Sequence, residues 1–100
     1  MAPSTDQERA RHFLVELTRP AAGWALLADV TARARSAASA VRGLGAQVSL
    51  VRSVYAPESD SLFLVYMAES EDAVWVALRG AELSPLGVST AIVADDRGRR

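Results

Sequence analysis

VSLVRSVYAPESDSLFLVYMA, residues Val48 to Ala68, holds two runs of β-branched and aromatic residues separated by Pro57-Glu58-Ser59-Asp60-Ser61. Such a connection is made of turn-formers, so the stretch reads as a β-hairpin. Its second run, Leu62 to Ala68, is apolar at nearly every position and spares no face for water. A strand of that kind lies between two layers. In a chain of 100 residues the second layer is expected from another copy of the molecule.

Working outward, His12–Arg19 alternates, with Phe13, Val15 and Leu17 on one side and His12, Leu14 and Glu16 on the other, which predicts a first strand ended by Pro20. From Ala22 to Arg42 the residues Trp24, Leu27, Val30, Ala34, Ala37 or Ala38, and Val41 recur at spacings of three and four, the stripe of a long helix. Gly43 suits its C′ position, and Arg33 and Arg35 read as its solvated side. The second strand is expected over Ala46–Tyr55 and the third over Ser61–Ala68. Ser70 is an N-cap for a second helix, with Glu71 and Asp72 in its positive first turn. Ala73, Val74, Ala77, and Leu78 or Ala81 form its inward face, and Gly80 and Ser84-Pro85 close it. Val88–Ala94 is the expected fourth strand. Residues 1–10 and 96–100 read as polar tails around a single domain spanning 11–95.

The order is βαββαβ. Its usual solution is a ferredoxin-like α+β fold, a four-stranded antiparallel sheet with two helices on one face. The other face would carry Leu14 with parts of the third and fourth strands, too apolar for open water. A twofold homodimer packed sheet on sheet, a dimeric α+β barrel, is the expected remedy.

The formal net charge of −1 provides no field to attract nucleic acid or an anionic membrane. With no cysteine, the chain has no disulfide, Cys-type zinc or thiol chemistry. The apolar runs are of strand length and the N-terminus lacks an apolar signal region, so a cytoplasmic protein is expected. All eleven basic residues are arginine, the bias of a GC-rich genome and one without mechanistic weight.

The runs FLVELTRP (13–20), LVRSVYAPESD (50–60), LFLVYMAESEDAV (62–74) and GAELSPLGV (80–88) together resemble a family of small bacterial ferredoxin-like proteins whose best-known members bind nickel. More broadly the chain is similar to muconolactone isomerase-type and small antibiotic-biosynthesis monooxygenase-type proteins. The resemblance implies the dimeric barrel. It also implies site positions: a Glu-Arg pair on the first strand, a histidine before the serine on the second, and a cysteine or glutamate on the third. Here these positions hold Glu16-Leu17, Arg52 before Ser53, and Leu64 and Met67. Arginine does not deprotonate to ligate a metal, so no metal site and no cofactor are expected.

Arg52 interrupts a strand otherwise small or apolar and is expected to be part-buried, with Glu16 as its nearest acid. Three roles stand open for it: a buried ion pair setting register across the dimer, an anion or carbonyl clamp oriented by Glu16, or an edge side chain reaching solvent. His12, the one imidazole, is a candidate acid–base. Tyr55 and Tyr66 are candidate donors to an enolate or phenolate. Leu14, Ser53, Leu64, Met67 and Thr90 are the expected lining of a pocket. The leading expectation is an isomerase, cyclase or cofactor-free oxygenase of secondary metabolism acting on a small carbonyl or polyketide-like molecule. A non-enzymatic metal or stress-response protein and a purely structural or regulatory dimer are the alternatives.

Overall fold

The computed structural model describes residues 11–17 and 24–93. In chain order the elements are β1 (Arg11–Leu17), α1 (Trp24–Gly43), β2 (Val48–Ala56), β3 (Ser61–Ala68), α2 (Glu71–Gly80) and β4 (Pro85–Ala91). The strands form one antiparallel sheet in the order β2-β3-β1-β4, and the fold is ferredoxin-like α+β. The expected tails at 1–10 and 96–100, the end of the first strand at Pro20, the helix start before Trp24, the Trp24 side chain and Ala94 lie outside the described residues.

The core lies between the sheet and the helices. From the sheet it takes Phe13, Val15 and Leu17 of β1, Val48 and Leu50 of β2, and Leu62, Leu64, Tyr66 and Ala68 of β3. Against these, α1 buries Val30, Ala34, Ala37, Ala38 and Val41, while α2 buries Ala73, Val74, Ala77 and Leu78. These helix faces are the ones their spacing predicts. Alanine dominates both, and its short side chain lets each helix axis approach closely without giving up helix propensity.

Helix α2 starts as expected, with Ser70 Oγ accepting from the Ala73 N–H at 3.2 Å. It ends at Gly80, one of the closing residues expected, but the left-handed residue of the closure is Glu82, with φ 59°. Leu83 N–H donates to Leu78 O and Glu82 N–H to Arg79 O, each at 3.0 Å, which is a Schellman closure. The carbonyls of Ala81 and Glu82 are taken up by Arg33 Nη2, at 2.7 and 3.2 Å. Arg33 is therefore more than a solvated residue: it ties α1 to the negative pole of α2. At the end of α1 the left-handed residue is Gly45, with φ 108°, rather than Gly43, which stays helical.

Beyond this closure the chain begins β4 at Pro85 rather than Val88. Proline is tolerated there because β4 is an edge strand and Pro85 its first residue. The sharpest local irregularity is in β2. Leu50 pairs with Tyr66 and Arg52 with Val65, so Val51 is an extra residue in the ladder, a β-bulge. Before the bulge Leu50 faces the helices. After it the phase is reversed, and Ser53 and Tyr55 take that side while Arg52 and Val54 take the other.

Candidate functional site: the open face of the sheet

The face turned away from the helices is built from the alternate residues of each strand. The cross-strand registers arrange them in three rows. One row runs Arg52, Val65, Leu14, Ser89 from β2 to β4. The next runs Val54, Phe63, Glu16, Gly87, and the third Ser49, Met67, His12, Ala91. The centre is apolar: Leu14 and Phe63 are half-buried, Val65 is 9% exposed, Met67 38% and Val54 43%. Around it stand three groups able to carry charge: His12, Glu16 and Arg52. Arg11, the remaining charged strand residue, belongs to the helix side, its guanidinium 5.7 Å from the Phe13 ring centroid.

A shallow groove of about 180 Å³ runs along this face between β1 and β4, lined by Leu14, Glu16, Phe63, Gly87 and Ser89. Gly87 helps to open it, because a Cβ built there would meet nothing within 4 Å. The groove thus combines apolar walls, one hydroxyl and one carboxylate.

Arg52 is exposed, where the sequence predicts partial burial, because the bulge turns it to the open face instead of the core. It makes no ion pair with Glu16. The two lie two strands and one row apart, about 12 Å at Cα by ordinary sheet spacings. Neither has a hydrogen-bond or ion-pair partner among the described residues. His12 and Glu16 are four residues apart on one strand, about 13 Å, so one chain does not offer both to a single ion. No group of three or more His, Cys, Asp or Glu side chains placed to hold a metal occurs among the described residues.

The expected pocket divides between the two faces of the sheet. Leu14 and Met67 are on the open face. Leu64 is fully buried under the helices. Ser53 also turns inward, its Oγ 2.5 Å from Thr31 Oγ1 on α1. Thr31 donates its own hydrogen to Leu27 O at 2.6 Å, so Ser53 is the donor in that pair, and its hydroxyl serves as a tie between β2 and α1. Thr90 pairs with Phe13 and so lies on the helix side, exposed at the edge. Tyr55 donates to Asp60 Oδ1 at 2.7 Å and secures the hairpin turn, in which Asp60 adopts a left-handed φ of 52°.

Tyr66 is fully buried on the helix side, opposite Phe13 and Leu50. Its hydroxyl has no hydrogen-bond partner among the described residues. Burial pushes its pKa up from 10.0 to about 12. It is unavailable as a donor on the open face. Phe63, Val65, Gly87 and Ser89 were not among the expected site residues. Alternation along β3 signals the first two, whereas the others require the start of β4 to be known.

The fold and site together define a ferredoxin-like α+β sandwich with an apolar, partly charged sheet face that none of the described residues covers. No family profile, curated protein or solved structure matches the chain. No helix among the described residues is long and apolar enough to cross a membrane.

Proposed function

We propose that the protein is a homodimer whose two open sheet faces enclose a site for a small, largely apolar organic molecule bearing a carbonyl or anionic oxygen, and that the site performs acid–base chemistry such as isomerisation or cyclisation. This is the reading that the resemblance to dimeric α+β barrel proteins also suggests. It is carried by one observation: Glu16, His12 and Arg52 stand around the same apolar face with no partner of their own among the described residues. The groove beside Glu16, at about 180 Å³, is smaller than the roughly 300–1,000 Å³ of ordinary ligand sites, so a second layer is needed to complete it.

Covering the face removes water, which strengthens each electrostatic interaction inside it. In the proposed chemistry Glu16 takes a proton from the carbon next to a carbonyl. The electron pair of that C–H bond moves into an enolate, whose oxygen charge Arg52 stabilises. His12, at the end of the face, returns or exchanges protons.

Two measurements test this. Sedimentation equilibrium should give a dimer at micromolar concentration. Exchange of the α-protons of an aryl ketone in D₂O, followed by NMR, should run above the buffer rate with the wild-type protein and fall to background with Glu16→Gln. A monomeric wild type, or exchange unaffected by Glu16→Gln, overturns the proposal.

A further inference from the structure

The open face has a charge and size pattern that complements itself under a twofold rotation, which suits a second copy of this chain as its occupant. Among the described residues of one copy, Glu16 is the one carboxylate on the strands and Arg52 the one guanidinium on this face. The two make no ion pair with each other within the chain. Covering both without pairing them would leave buried uncompensated charges, which is strongly unfavourable. A molecule of unrelated surface would have to supply an acid and a base at matching places, and a second copy supplies both.

We infer that each site is composite, with Arg52 of one subunit lying over the Glu16 groove of the other. This deepens the homodimer proposed above and rests on it. Strand register brings the two residues together. A twofold axis lying in the interface, along the strands and through the middle of the sheet, places β2 over the other copy's β4 and β3 over its β1. Because Arg52, Val65, Leu14 and Ser89 form one row, Arg52 then stands over Ser89 of the partner subunit, in the wall of the groove that holds Glu16 of the partner subunit. In the next row the exposed Val54 stands over Gly87 of the partner subunit, a large side chain opposite a missing one. Val65 and Leu14 pack at the centre. Stacked sheets lie about 10 Å apart, and with Glu16 of the partner subunit one strand and one row to the side the span is about 13 Å at Cα, which an arginine and a glutamate extended toward each other can bridge.

The arrangement gives two reciprocal Arg–Glu pairs per dimer and two sites, each with its acid from one chain and its cation from the other. A monomer has only half of each site. The inserted Val51 makes this possible, since without the bulge Arg52 would point at the helices.

The test is a charge swap across two chains, read by sedimentation equilibrium, with far-UV circular dichroism to verify the fold of each variant. Both residues are on the open face, outside the helix-facing core, so the single variants should fold. Arg52→Glu sets two carboxylates against each other and Glu16→Arg sets two cations against each other. Each alone should weaken the dimer by roughly 30-fold or more. Mixed in equal amounts, the two variants should form a heterodimer of near wild-type affinity, because each cross-chain pair again joins an acid to a base, one in the native sense and one inverted. The double variant Glu16→Arg/Arg52→Glu should dimerise likewise. If the wild type dimerises but the single variants do too, or if mixing fails to rescue them, the composite pair is overturned while the homodimer stands. A wild type that stays monomeric overturns both.

Discussion

Replacing Tyr66 by phenylalanine should stabilise this protein. The Tyr66 side chain is 0% exposed, and its hydroxyl is buried without a partner among the described residues. Desolvating an unpaired hydroxyl costs about 1–3 kcal/mol. Removing it leaves a hole on the order of 10 Å³, which at about 24 cal/mol per Å³ costs a few tenths of a kcal/mol. The net expectation at pH 7 is a gain of about 1–2 kcal/mol, equivalent to a rise of roughly 4–8 °C in Tm for each kcal/mol. The pH dependence supplies an independent readout. Below pH 10 tyrosine is neutral in the folded and unfolded chain alike, so ionisation contributes nothing. Above pH 10 the unfolded state releases the proton while the folded state, with its pKa raised to about 12, retains it. Stability then falls as pH rises, by about 1.4 kcal/mol at pH 11 and by about 2.7 kcal/mol once the folded pKa is passed. Tyr66→Phe should lack this component. Urea titrations of both proteins at pH 7, 9, 10 and 11 measure it as a gap that widens above pH 10. A loss of stability at pH 7, or a gap constant with pH, would refute the reasoning by showing that the hydroxyl has a partner or reaches water.

The other predictions concern the helix ends and the groove. Glu82→Gly should stabilise the chain by about 0.5–1 kcal/mol in denaturant titrations, since φ 59° suits glycine and the Schellman bonds use only backbone atoms. Arg33→Ala should cost about 1–2 kcal/mol in the same assay, because two carbonyls at the end of α2 lose a charged donor; an unchanged midpoint would show that water replaces it at no cost. Gly87→Val should leave the isolated fold intact, as a Cβ there meets nothing within 4 Å, and should weaken the dimer at least tenfold in sedimentation by filling the place opposite Val54. Unaltered dimerisation of Gly87→Val would place the interface elsewhere.

The order βαββαβ and most of the core are legible without coordinates. Alternation in β1 separates Phe13 and Val15 from Leu14 and Glu16, whereas β3 is apolar on both sides, and only its pairing with β1 separates Leu62 and Leu64 from Phe63 and Met67. The spacings of three and four separate the inward from the outward residues of both helices. These periods are local properties of the backbone, so a one-dimensional string carries them. The end of α2 is less legible, because a left-handed residue is expected to be glycine and here it is Glu82, held by Leu83 packing against the core and by Arg33 from 49 residues away in sequence. After that turn β4 starts at Pro85 instead of Val88, which brings Gly87 and Ser89 onto the open face.

The site depended most on tertiary structure. By simple alternation Leu50, Arg52 and Val54 share one face, and Ser49, Val51, Ser53 and Tyr55 the other. The inserted Val51 reverses β2 beyond that point, sending Arg52 outward and Ser53 and Tyr55 toward α1 and the turn. No residue type marks it, since valine suits a regular strand equally well. Its cause is pairing: Leu50 and Val48 must join the core opposite Tyr66 and Ala68, while Arg52 avoids burial without a partner. Local periodicity in the chain determined the elements and their order, and the competition for the two sides of one sheet, settled only when strands meet, decided which residues form the candidate site.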